Sequence, residues 1–259
     1  MTWTTQPRSE IAGLAAISAG SGPTILLVHG VGMQAEAWNS QIAALAPRYH
    51  VVAVDMPGHG QSALLSKGSG LAGYTDAIAQ TLNAPTLVIG HSMGAMIALD
   101  LTIRYPDRVS GVAALNAIYQ RSPEAFAAVK TRADSLDSNS VADPTGPLDR
   151  WFGNSPSPER EACEAWLNAV SPEGYKMAYQ VFAAEDGPNP QALASLACPA
   201  LFMTGRDEPN STPEMSRNMA ALAPQGRARI INDAAHMMPM THTHEVNQEL
   251  LRFAKEVFS

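Results

Sequence analysis

The chain has 259 residues, 46% of them hydrophobic and 16% charged, with a formal net charge of −7. A chain of this length buries roughly three quarters of its unfolded surface, and its two cysteines, Cys163 and Cys198, make no disulfide framework and suit a reducing compartment. The 17 basic side chains form no block, so nucleic acid and anionic membrane are excluded as expected partners.

The first segment, MTWTTQPRSEIAGL, lacks a charged stretch followed by an apolar one, and no uncharged apolar run approaches the roughly 18–20 residues of a membrane span. The expectation is a soluble, cytoplasmic protein. From Thr24 onward the pattern alternates. Ile25–Val28 is an apolar run predicting a strand, closed by His29 and Gly30. Ala35–Ala46 has helical spacing, with Trp38, Ile42 and Leu45 on one side and Pro47 ending it. Val51–Val54 predicts a strand leading into the glycine-rich DMPGHGQS. Leu71–Leu82 predicts a helix, Thr86–Ile89 a strand, Met93–Tyr105 a helix and Val112–Leu115 a strand. Continuous apolar strands joined by helices indicate a parallel sheet covered on both faces.

Residues 118–190 break the rhythm with SPEAF, DPTGPLDRWFGNSPSPER and EDGPNP, offering helical pieces such as Glu161–Val170 and no clear strand. Alternation returns with strand Ala200–Thr204, helix Thr212–Ala223, strand Arg229–Ile231 and helix Thr243–Phe258. The reading is an α/β domain built from residues 1–117 and 191–259, with 118–190 inserted as a mostly helical segment.

One residue stands out of place. Ser92 lies between an apolar strand and a helix, bracketed by Gly90 and Gly94 in GHSMG. This is the G-x-S-x-G nucleophile elbow in its proper strand–turn–helix context. A sharp turn of that kind costs about 1–3 kcal/mol. It brings the chain close to itself, so the flanking positions tolerate little side chain. The turn holds Oγ above the sheet and aims the Met93 amide, at the positive end of the helix, into the same space.

A serine hydroxyl needs a base, and the base an orienting acid. In this fold acid and histidine follow the serine in that order. Of the seven histidines, His236 in INDAAHMMPM lies in the loop past the last strand, where a base belongs. His242 and His244 open the final helix and find no matching metal-ligand set. The loop GRDEPNSTP offers two carboxylates, Asp207 and Glu208, either able to orient the imidazole. An oxyanion hole needs two N–H donors: Met93 supplies one, and Val31 in HGVGM the other.

Together these stretches resemble the α/β-hydrolase superfamily: LLVHGVGMQAEAW its oxyanion loop, VVAVDMPGHGQS its second strand and turn, GHSMG its elbow, GRDEPNSTP its acid loop and AAHMMPM its histidine loop. The resemblance implies a mixed, mostly parallel sheet with strands before Thr24 and a helical cap over residues 118–190. It also implies a triad of Ser92, His236 and an acid. Relatives place an aspartate three residues after the glycine and five before the proline of S-T-P; both counts land on Glu208, with Asp207 beside it. Members that use an aspartate in the elbow, the haloalkane dehalogenases and epoxide hydrolases, are excluded by Ser92.

The expected activity is hydrolysis of a small carboxylic ester through an acyl-enzyme, without cofactor or metal. Cap aromatics Trp151, Phe152, Trp166, Tyr175, Tyr179 and Phe182, with Met237, Met238 and Met240, are the candidates to line an apolar acyl pocket. Two rivals remain: a C–C hydrolase of the meta-cleavage type on the same triad, and a ligand-binding protein of this fold with little turnover.

Overall fold

The structure is a computed structural model that describes Trp3 and residues 6–259. The chain opens with a hairpin, β1 (Ser9–Ile11) and β2 (Leu14–Ala19), paired antiparallel. Ala12 and Gly13 both take positive φ, 51° and 81°, in its two-residue turn, whose twist then matches that of the strands. Next come β3 (Thr24–Val28), α1 (Asn39–Leu45), β4 (His50–Val54), α2 (Leu71–Ala79), β5 (Thr86–His91), α3 (Met93–Arg104) and β6 (Val109–Leu115). Five helices follow without a strand: α4 (Pro123–Ser135), α5 (Thr145–Phe152), α6 (Pro158–Ala169), α7 (Pro172–Ala184) and α8 (Pro190–Ala194). The chain ends with β7 (Ala200–Gly205), α9 (Pro213–Leu222), β8 (Gly226–Ile231), α10 (Met238–Thr241) and α11 (Thr243–Val257).

The eight strands lie in the order β1-β2-β4-β3-β5-β6-β7-β8, with β3 to β8 parallel and the first two strands antiparallel. After β3 the chain steps one way to β4, then returns past β3 to β5. In open α/β sheets, sites form outside the carboxyl ends of strands at such a reversal. Apolar runs without alternation serve both faces. Leu26 and Val28 point into a core with Tyr74 and Ile78 of α2, Ile97 of α3 and Met219 of α9. Ile25 and Leu27 point to the opposite core, with Trp38, Leu45 of α1 and Leu250 and Phe253 of α11.

Several predicted elements shift. The stretch predicted as one helix over 35–46 is a 3-10 turn, Ala35–Trp38, followed by α1. The helix predicted to reach Leu82 stops at Ala79. Strands β6 and β8 begin three residues earlier than the apolar runs suggested, at Val109 and Gly226. Hydrogen bonding to β5 and β7 continues there, past the point where the hydrophobic pattern ends.

The helical segment packs on the carboxyl edge through a third cluster joining Met33, Met237 and Met240 to Leu148, Cys163, Leu167 and Tyr175. Its tightest docking is backbone to backbone. A Cβ on Gly174, in the first turn of α7, would run into the carbonyl of Gly58 in the DMPGHGQS turn.

Candidate active site

Ser92 sits between β5 and α3 at φ 56° and ψ −120°, and its amide donates to the Leu115 carbonyl at 2.9 Å. A β-carbon on Gly90 would run into the Gly94 carbonyl, and one on Gly94 into the carbonyls of Val28 and His29. Those two glycines are the only residue type that lets the strand, the turn and β3 approach so closely. Met93 opens α3, whose backbone ladder begins with Ala95 N donating to Ser92 O at 2.9 Å. Its own amide precedes that ladder and points from the positive end of the helix.

His236 follows β8 and Glu208 follows β7. Their close approach uses a third glycine: a β-carbon on Gly205 would strike the Ala234 carbonyl. His236 Nδ1 donates to Glu208 Oε2 at 2.7 Å. The other carboxylate oxygen accepts from the Asn210 amide at 2.7 Å and the Ser211 amide at 3.3 Å. Asn116 Nδ2 adds a 3.4 Å bond to Oε2. Burial pushes the Glu208 carboxyl up, but the His236 charge, its hydrogen bond and the two amides outweigh it and hold the pKa at about 2. Asp207 is exposed and makes no bond to His236; its amide ties the loop to the Ala234 carbonyl at 2.9 Å. Ser92, His236 and Val31 line one cavity of about 350 Å³, into whose wall Asn116 and Asn210 also project. Gly30 packs against Ser92, where an added β-carbon would lie only 2.9 Å from that of the serine and would not fit.

Of the aromatic and methionine residues nominated from the sequence, Trp151, Tyr175, Tyr179, Phe182 and Met237 line this cavity. Trp151 stacks on the His236 ring at 5.5 Å and 19°. The others do not line it: Phe152, Trp166 and Met240 pack in the cluster between the helical segment and the sheet, and Met238 belongs to the core against α11. Helical spacing made these residues equivalent in the sequence, and only the docked helices separate them. Nor is the wall purely apolar, because Arg121, Arg132 and Arg150 also line it.

Two residues the sequence reading passed over complete the surroundings. His91 donates from Nε2 to the His236 carbonyl at 2.8 Å. Burial and the neighbouring His236 charge push its pKa down to about 3, so the ring is neutral. Its place beside Ser92, after a buried strand, was the available signal. Asn116, at φ 52° just past β6, bridges Thr204 and Glu208. A residue ending the strand next to β5 is the corresponding clue. His29 is neutral as well, its pKa near 4 through burial; Nδ1 donates to Gly30 O at 2.8 Å and Nε2 accepts from Met56 N at 2.9 Å. Among the described residues no group of three or more His, Cys, Asp and Glu side chains could hold a metal ion. No helix among them is long and apolar enough to cross a membrane.

A parallel sheet, a serine on a strained elbow at its reversal point and a histidine–carboxylate pair from later loops together define a class. The chain belongs to the alpha/beta hydrolase family, whose sequence model matches residues 25–249. It is 41% identical over 237 residues to the (E)-2-((N-methylformamido)methylene)succinate hydrolase of Acinetobacter baylyi, covering 89% of this chain and 90% of that protein. It is 26% identical over 262 residues to the pimeloyl-[acyl-carrier protein] methyl ester esterase of Vibrio cholerae, covering 91% and 96%. Among solved structures, a thermophilic esterase from Thermogutta terrifontis with malate bound superposes with a TM-score of 0.86 at 25% identity, over 98% of this chain and 100% of that one. Both of these relatives are hydrolytic enzymes by name, the one a hydrolase and the other a methyl ester esterase.

Proposed function

We propose that the protein is a serine hydrolase that cleaves a small acyl compound through a covalent acyl-enzyme, with Ser92 as nucleophile, His236 as base and Glu208 as the orienting acid. The observation that carries this reading is the 2.7 Å bond from His236 Nδ1 to a fully buried Glu208, in the cavity that Ser92 shares. That bond fixes the proton on Nδ1, leaving Nε2 unprotonated to take the Ser92 proton as Oγ attacks the carbonyl carbon. The developing oxyanion is held by the Met93 and Val31 amides, and His236 returns its proton to the leaving group. The leaving group departs, and His236 then draws a proton from water as its oxygen adds to the acyl carbon. On collapse the acyl–Oγ bond breaks while the imidazolium returns that proton to Oγ, releasing the acid and restoring Ser92. The ionised Glu208 stabilises the imidazolium in both half-reactions. Helices α4 to α7, spanning most of residues 118–190, act as the cap that closes the cavity.

The leaving group is oxygen or nitrogen. An ester is the simpler substrate for such a site. A C–N acyl bond is the second reading, favoured by the 41% identity to a hydrolase named for an N-methylformamido substrate. In it the same attack falls on a formyl carbon whose nitrogen lone pair is withdrawn by conjugation. Labelling with a fluorophosphonate tests the common mechanism: wild-type protein is expected to label and Ser92→Ala is not. Equal labelling of both would remove Ser92 from its role.

A further inference from the structure

The helical segment turns three faces to the cavity, each at helical spacing. Helix α4 presents Ala125, Ala128, Val129 and Arg132; α5 presents Gly146, Pro147, Arg150 and Trp151; α7 presents Tyr175, Tyr179 and Phe182. The charge balance of that wall is opposite to that of the molecule. In a chain with 24 acidic and 17 basic residues, three arginines and no Asp or Glu line the cavity.

The arginines are not alike. Arg121 is spent on its own chain, donating to the carbonyls of Glu185 and Phe182 and lying 3.5 Å from Asp186. It ties the end of α7 to the segment after β6. Arg132 and Arg150 have no carboxylate within 4 Å among the described residues, and Arg132 Nη2 is buried without a hydrogen-bond partner. Both arginines line the same cavity wall as Tyr175 and Tyr179. Burial pushes the two phenols up, and the Arg132 and Arg150 charges, with a hydrogen bond from Arg132 at Tyr175, oppose that shift. A buried donor left unmade is costly. Guanidinium forks match carboxylates in geometry.

We propose that Arg132 and Arg150 form a carboxylate-binding subsite, so that the acyl substrate carries a carboxylate beyond its scissile carbon. This rests on the proposed role of Ser92 for the scissile end, but the subsite is a separate claim about α4 and α5. An anionic substrate is drawn past an acidic surface by a locally positive cavity. Once seated, its carboxylate satisfies the Arg132 donor and fixes the acyl carbon under Trp151, next to His236.

The test compares two p-nitrophenyl esters of equal acyl length, the neutral butyrate and the hemisuccinate. Wild-type protein is expected to prefer the hemisuccinate, and Arg132→Gln or Arg150→Gln to lower its kcat/KM about 10- to 100-fold, mainly through KM, with the butyrate changed less than about twofold. Arg150→Lys should recover part of the loss. Wild-type indifference to the carboxylate, or equal losses on both esters, would overturn the subsite while leaving the triad untouched. Calorimetry with glutarate on Ser92→Ala reads the subsite without turnover. Heat that Arg132→Gln abolishes supports it even if Ser92 proves not to be the nucleophile, and no heat from folded Ser92→Ala removes it. Thermal melts confirm that each variant is folded.

Discussion

The sheet's carboxyl edge and the helices that overlie it solve different problems. At the edge the polar groups are held largely by backbone: glycines set the Ser92 elbow, the Asn210 and Ser211 amides grip Glu208 beside the His236 and Asn116 side chains, and the His236 carbonyl receives His91. On the helices the polar groups are long side chains reaching inward, two of them without a carboxylate partner. An edge whose partners are all internal suits a reaction that does not vary with substrate. A face with unmet donors suits selecting the substrate.

That division predicts where damage falls. The largest effect should come from the edge: Glu208→Ala is expected to lower kcat by about 10³–10⁴, as loss of an orienting acid does, while exposed Asp207→Ala stays within about twofold. Steady-state kinetics on one ester checks both, and the reverse ranking would show that the wrong carboxylate has been assigned. The join between the two regions comes next. Gly174→Val forces a side chain into the Gly58 carbonyl, and overpacking of that kind costs about 1–3 kcal/mol. It should lower Tm and raise KM more than it lowers kcat, since α7 and its two tyrosines must move. A kcat loss with KM unchanged would mean that α7 positions the chemistry itself. His91→Leu leaves the His236 carbonyl without its donor, and about a tenfold fall in kcat is expected. His91→Gln should restore most of it if the role is positioning.

The same contrast explains what could be read from the sequence. The edge is legible because backbone constraints leave marks at fixed spacing. Gly90 and Gly94 can be nothing larger, and the strands that lead to Ser92 and Glu208 are built on unbroken apolar runs. The helical segment carried marks as well, although they do not fix its packing. Ser122, Ser157, Ser171 and Asn189 each precede a proline, and each side chain accepts the amide three residues on, so the prolines that broke the α/β rhythm are helix starts. Which face each helix turns inward depends on how it docks. That is why Trp151 and Trp166 looked equivalent, and why no pattern singled out Arg132 and Arg150. The strand extensions at Val109 and Gly226 escaped for a related reason: pairing with a neighbour, not local hydrophobicity, holds them.

Acid should separate the two regions once more, with the smallest effect per residue. His29, His59 and His91 are buried on the sheet side, and burial foremost lowers their pKa values to about 4, 3 and 3. Residues 118–190 contain no histidine. Each buried ring stays neutral in the fold while the unfolded chain takes up a proton near pH 6.5, so stability is greatest above that pH and falls as the pH drops towards 4. The slope is about 1.4 kcal/mol per pH unit for each proton. Glu208 extends the loss. Its carboxyl is depressed to about 2, so the stability it contributes is present above the ordinary carboxylate range and disappears between about pH 4.5 and 2. Urea unfolding at pH 8, 7, 6 and 5 should show the first phase, and His59→Gln should make it shallower by about one proton's worth. A ΔG of unfolding that is flat from pH 7 to 5 would mean that these rings ionise inside the fold, and that the sheet edge is more open to water than its packing indicates.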